Sequence, residues 1–154
     1  MTTYYRLITL LKTIFEQDND VNTVLTGDFE EWKKDIFSIV HIEVLSSAFV
    51  GLQNVNVTRY EVSINVLDIR DVNKENVKDK FWNQDNRHDI WNTTRAVLKR
   101  AENKMIKDTE QTDITLTDAT AAEKVTYAYM NGLDGWQQTW TIDVPDELTT
   151  VCYD

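Results

Sequence analysis

The chain has few of the residues that interrupt or staple a fold. Among its 154 residues there are one proline and four glycines, which argues against a long flexible linker and for a single domain. Its one cysteine, Cys152, excludes an intramolecular disulfide, so the expected fold does not depend on an oxidising compartment. No apolar run approaches the roughly 20 residues that a membrane-spanning helix needs. The opening MTTYYRLITLLKTIFEQ has no basic stretch ahead of an apolar core and no small-residue cleavage site. These features predict a protein that folds in a cytoplasm, or is packaged from one, without membrane contact. The chain is long enough to bury a core without metal or disulfide support. We expect one domain over residues 1–145 and an acidic tail over 146–154.

Positive charge is also scarce, and unevenly placed. The net charge is -10, which argues against free duplex DNA or RNA as the main partner, because such affinity rests on neutralising phosphates. No Lys or Arg follows Lys124, whereas Asp134, Asp143, Asp146, Glu147 and Asp154 are all acidic. By contrast, residues 90–107 hold Arg95, Lys99, Arg100, Lys104 and Lys107 against a single acid, Glu102. Lys104 and Lys107 suit a helix C-terminus. Arg95, Lys99 and Arg100 sit mid-helix and form a candidate docking surface for the acidic end of another copy, through Asp143, Asp146 and Glu147. Such a contact joins two different patches, and it closes into a ring if the rotation allows.

The patterning that is present predicts α+β. Tyr4, Leu7, Ile8, Leu11 and Phe15 recur at helical spacing over residues 3–17, with Thr2 or Thr3 as a cap. Residues 16–35 read as a connection with room for one short strand. Over 36–51, Val40, Ile42 and Val44 alternate with His41 and Glu43. Over 56–71, Tyr60, Val62, Ile64 and Val66 alternate with Glu61, Ser63 and Asn65, and the turn GLQNVN makes the two strands a hairpin. The apolar parity then passes to Leu67 and Ile69, which predicts a β-bulge near Val66–Leu67. A polar excursion, 72–89, leads to a helix from about Asp89 to Lys107 that buries Ile90, Thr94, Val97, Leu98, Ala101 and Met105. Residues 112–130 read as a strand region broken near 118–122. Turn signals at Asn131–Gly132 and Asp134–Gly135 precede a last strand, where Trp136, Gln138, Trp140, Ile142 and Val144 share one face, Gln137, Thr139, Thr141 and Asp143 share the other, and Pro145 ends the ladder. The expectation is a twisted, mainly antiparallel sheet of about four strands with two helices over one face, the other face being wet or paired with something else.

Catalytic chemistry finds little support. The two histidines, His41 and His88, lack the three or four ligands at recognisable spacing that a zinc or di-iron centre needs, and the ordinary reading is a strand-surface and a helix-start histidine. Cys152 has no base at hand, and neighbouring carboxylates disfavour its thiolate. Gly27, Gly51, Gly132 and Gly135 form no phosphate-cradling pattern. Asp68, Arg70 and Asp71 at a strand end could in principle work with His41 or His88, but aspartates at strand ends commonly start turns. We expect no enzymatic activity and no metal or cofactor. Arg70, Asp71 and the loop residue Trp82 join the basic helix and acidic end as candidate subunit-interface residues.

Several stretches resemble a family of small tailed-phage proteins, the tail-completion, tail-terminator or neck proteins. They are YYRLITLLKTIFEQDNDVNTVLTGDFEEWKKDIFSIVHIEV, YEVSINVLDIRDVN, DNRHDIWNTTRAVLKR and LDGWQQTWTIDVP. The resemblance spans nearly the whole chain. It implies a terminator-like α+β fold and a structural role in the virion: a six- or twelve-fold homo-oligomeric ring at the head–tail junction, between connector and tail proteins, with DNA passing through without specific binding. The acidic excess is compatible with a conduit that repels phosphates. GLQNVN is shorter than the flexible segment such proteins often carry, so the excursion at 72–89 is the expected reach to a neighbour. The competing reading is a small adaptor or ligand-binding α+β domain unrelated to virions, with a concave apolar pocket on the sheet.

Overall fold

A computed structural model describes residues 2–27, 38–52, 55–69, 87–128 and 132–146. In chain order the elements are α1 (Thr3–Glu16), β1 (Thr23–Leu25), β2 (Ile39–Leu52), β3 (Val55–Ile69), α2 (Arg87–Thr112), β4 (Thr115–Ala119), β5 (Glu123–Ala128) and β6 (Leu133–Pro145). The fold is α+β, with two helices and a mixed six-stranded sheet among the described residues. The sheet runs β1-β2-β3-β6-β4, and β5 shares β4's side of β6. Among the described residues only β1 pairs in parallel, with the first residues of β2, and the remaining pairs are antiparallel. The six strands exceed the four expected because β1 forms inside the 16–35 connection and the 112–130 region divides in two.

One apolar face carries the main core. Val40, Ile42, Tyr60, Val62, Ile64, Val66, Trp140, Ile142 and Val144 meet Leu7, Leu11, Ile14 and Phe15 of α1 and Val97, Leu98, Ala101 and Met105 of α2. The predicted stripe of α2 is buried at all six positions. In α1 the stripe shifts: Tyr4 is exposed and Ile14 takes a buried place. Trp140 is fully buried and stacks on Phe15 with centroids 6.0 Å apart. Gln138, the polar member of this parity, is explained by a relay: its Nε2 donates to the Thr120 carbonyl at 2.8 Å, and its Oε1 accepts from the Trp140 indole at 2.9 Å. The Thr94 hydroxyl is likewise satisfied within its helix, donating to the Ile90 carbonyl at 2.6 Å.

The structure corrects four local expectations. No bulge occurs at Val66–Leu67: Val66 opposes Val40 and Trp136, and Leu67 opposes Ile39 and Gly135, without interruption. The apolar parity changes because the second face is also covered at this end, where Ile39, Leu67 and Leu133 cluster with Leu25 and Val125. The irregularity lies in β2 instead, between Val44 and Ser46. His41 is buried rather than a surface residue, with its Nε2 2.7 Å from the Gly27 carbonyl oxygen. Ser63 and Asn65 on that face are buried as well, so this part of it is not wet.

The third correction concerns the cap: Thr2 stands at the N-cap without a side-chain cap bond, and the Thr3 hydroxyl pairs with the Tyr60 hydroxyl at 2.6 Å. The fourth concerns the turn: Gly132, with φ of 63°, fits its turn signal, but Asp134–Gly135 lies inside β6. Gly135 is needed for close approach, because a Cβ there would sit 1.9 Å from the Val66 carbonyl oxygen.

Candidate functional site

Nine residues carried the sequence-based interface, and five of them can be placed. Arg70, Asp71, Trp82 and Glu147 lie outside the described residues, as do most of the 72–89 excursion and Cys152. Arg95, Lys99 and Arg100 follow one another along α2, whereas Asp143 and Asp146 stand at the far end of β6 and just beyond it. Two of the five, Arg100 and Asp143, pair with opposite charge within the subunit. Arg100 forks onto Asp18, with Nε 2.8 Å from Oδ2 and a terminal nitrogen 2.9 Å from Oδ1, and that nitrogen also reaches Asp20 at 2.7 Å. This geometry locks the exit of α1 to α2. Burial works to raise the Asp18 carboxyl, but Arg100, the Asp20 N–H and the nearby Lys104 together hold it below the usual carboxylate range. Gln17, Asp18, Asn19, Asp20, Arg100 and Lys104 line an open polar cavity of about 440 Å³.

The acidic end is similarly engaged. Asp143 opposes Arg59 across strands and accepts from it twice, at 2.8 and 3.0 Å. The Arg59 guanidinium is pushed up by that hydrogen-bonded carboxylate. Asp146 accepts from the Thr58 hydroxyl at 2.7 Å, and its N–H donates to the Asn56 carbonyl at 2.9 Å. These two bonds tie Asp146 to β3. Lys99 is exposed and Arg95 is half-buried on α2.

Of the residues considered for acid–base work, Asp68, His41 and His88 can be placed. Asp68 opposes Asp134 on the helix-bearing face, while His41 faces the other side of the sheet. Burial raises the Asp68 carboxyl, offset in part by the Ile69 N–H it accepts at 2.7 Å. His88, in the first turn of α2, meets Trp91 edge-on. Among the described residues no three His, Cys, Asp or Glu side chains group as metal ligands. No helix among them is long and apolar enough to cross a membrane.

Two features were not anticipated. Lys124 from β5 places its ammonium 4.0 Å from the Trp91 ring centroid and 5.7 Å from that of Trp136. Arg87 lies 4.9 Å from the same Trp91 ring. The Trp136 indole donates to the Trp91 carbonyl at 2.8 Å, so the stack pins the first turn of α2 to β5 and β6. No sequence spacing could have joined Lys124 to Trp91, because the contact is made between α2 and β5 in the folded chain.

The second feature is the free part of β2. β1 covers only Ile39, Val40 and His41, so among the described residues Ile42–Leu52 forms an unpaired sheet edge. From Leu45 to Ala48 and at Phe49 this edge is exposed, with Leu45 at 52% and Phe49 at 67%. The Phe49 ring lies over Gly51, where a Cβ would come within 2.7 Å of it. VLSSAFVGL, residues 44–52, contains no charge and no proline, the residues that ordinarily guard an open edge. The signal was present in the sequence as a charge-free run in a highly charged chain, but alternation alone does not say which strand lies outermost.

No protein-family model and no curated protein matches the chain. Its functional reading therefore rests on its own residues and on the resemblance described above.

Proposed function

We propose that the chain is a structural subunit of a tailed-phage particle, assembling as a homo-oligomeric ring at the head–tail junction, in the manner of neck and tail-completion proteins, as a conduit for DNA. One observation favours an assembly role: past the stretch that β1 covers, a long sheet edge bears the exposed Leu45 and Phe49 and carries no charge from Val44 to Leu52. Exposed edges of this kind pair readily with another chain, and a monomeric protein usually guards them. A terminator-like topology, ring symmetry of six or twelve, connector and tail neighbours, and virion location all come from the resemblance. The acidic net charge suits a lumen that does not grip its cargo. Nothing in this reading calls for catalysis.

The test is antibody-gold labelling of intact particles from the source culture, viewed by electron microscopy, with peptide mass spectrometry of the purified particles. Label at the head–tail junction supports the ring. Absence of the chain from the particles by both measurements refutes it and leaves the small adaptor or ligand-binding domain as the better account.

A further inference from the structure

We infer that the free edge of β2 pairs with the outer edge of β4 on a second copy of this chain, so that neighbouring subunits share one continuous sheet. The choice of partner strand rests on the ring reading above; the geometry below shows that the pairing is possible.

The two open borders lie level with each other. Ser47 opposes Tyr60, Tyr60 opposes Ile142, and Ile142 opposes Leu116. The same row of the sheet therefore ends at Ser47 of β2 on one side and at Leu116 of β4 on the other. Among the described residues neither border pairs further. Direction agrees as well. β2, β3, β6 and β4 alternate, each antiparallel to the next, so β4 runs opposite to β2. A neighbour in the same orientation sets its β4 antiparallel beside β2, and the alternation continues without a break. Its helices then lie on the same side of the shared sheet. This contact joins two different edges in one fixed sense, the kind of interface that generates a ring when the rotation closes.

Charge points to the same pair of edges. Copies with a net charge of -10 repel one another over most of their surface. β2 offers no charge from Val44 to Leu52, and β4 offers only Asp118. The neighbouring β5 edge, by contrast, carries Glu123 and Lys124. Main-chain hydrogen bonds supply the affinity in strand addition, and the exposed Leu45 and Phe49 add apolar area to cover.

The experiment uses the full chain with Cys152→Ser and a short thiol crosslinker. Ser47→Cys and Thr117→Cys, both at exposed positions, are made singly and together. Crosslinking is run on the purified protein and on particles assembled with each variant. The expected result is a ladder of species beyond the dimer from the double variant, and none from either single variant. Adding Ala48→Lys and Phe49→Lys abolishes the ladder without moving the urea midpoint. A dimer from Ser47→Cys alone, with no longer species from the double variant, shows β2 meeting β2 and overturns the inference. Absence of crosslinks, while gold label stands at the head–tail junction, overturns the edge pairing and leaves the ring reading intact. A ladder from a chain that is missing from the particles keeps the edge pairing and removes the ring reading.

Discussion

Gly135→Ala concentrates the packing of β3 against β6 into one methyl group. Gly135 opposes Leu67 in the ladder, and a Cβ built there meets the Val66 carbonyl oxygen at 1.9 Å, where real Cβ contacts essentially never fall below 3.0 Å. The obstacle is backbone, not the end of a flexible side chain, so relief requires the central strands to part by about an ångström. On one side of that point Val66 is fully buried against the main core, and on the other Leu67 anchors the second cluster. Separation would loosen both. Overpacking a well-packed interior ordinarily costs about 1–3 kcal/mol, and a backbone clash between central strands belongs at or above the top of that range. A loss of ~3 kcal/mol lowers the melting temperature by roughly 6–12 °C for a chain of this size.

The assay is urea unfolding of the full chain, read by tryptophan fluorescence and circular dichroism, with two glycine controls. Gly27→Ala meets nothing within 4 Å but has φ of 101°, so it reports backbone strain alone, about 1–3 kcal/mol. Gly51→Ala meets only the exposed Phe49 ring, which can swing away, so its cost should stay within about 0.5 kcal/mol. The expected order of loss is Gly135, then Gly27, then Gly51. A Gly135→Ala loss below about 1 kcal/mol would refute the close-approach account.

Three further perturbations test other parts of the structure. Arg100→Ala should raise the Asp18 titration midpoint, followed by carboxyl carbon NMR, because burial then meets less opposition; an unmoved midpoint sinks the clamp. In the parent chain the depressed Asp18 contributes stability that is present above the unfolded value near 3.9 and lost as pH falls through the lower folded value. Asp68 has the opposite sign: its raised carboxyl contributes stability below the unfolded value near 3.9, and this is lost as pH rises through the folded value. Asp68→Asn should therefore flatten the stability profile across that window in urea melts at stepped pH, and an unchanged slope would contradict it. Phe15→Ala removes the ring stacked on Trp140 and should cost about 3–5 kcal/mol in the same melts; a loss under about 1 kcal/mol would show that the seating of α1 on the sheet does not depend on that contact.

How much of this was readable in the sequence depended on whether one residue's neighbours lay along its own element. The buried stripe of α2, from Ile90 to Met105, follows from helical spacing and holds at each position. The faces of β2, β3 and β6 follow from period-two alternation in the same way. The change of parity at Leu67 was visible, but its cause was not. A bulge and a second covered face produce the same local pattern, and only the uninterrupted ladder with Ile39 and Gly135 separates them. Strand order was hidden for a related reason. The sequence offers β2 and β6 as equally patterned strands, yet β6 lies between β3 and the β4/β5 side while most of β2 lies at the edge. Charge localisation was legible as composition but misleading as availability, because Arg100, Asp143 and Asp146 find partners far away in sequence and within the same subunit.

That internal pairing gives the two ways of joining copies opposite responses to salt. Docking of the basic helix on an acidic chain end draws its free energy from attraction between exposed charges, so it weakens as ionic strength rises and the screening length falls to about 8 Å at 0.15 M. Pairing of β2 with β4 draws on main-chain hydrogen bonds and apolar cover, which salt hardly affects, while the like charge of two subunits opposes the encounter. Screening reduces that opposition. With -10 on each copy and Arg100 already committed to Asp18 and Asp20, the repulsive contribution should dominate the salt response. Sedimentation velocity across a sodium chloride series should show larger species gaining as salt is raised. Dissociation with added salt would instead return the interface to Arg95, Lys99 and the acidic end, and leave the β2 edge as an exposed surface without this partner.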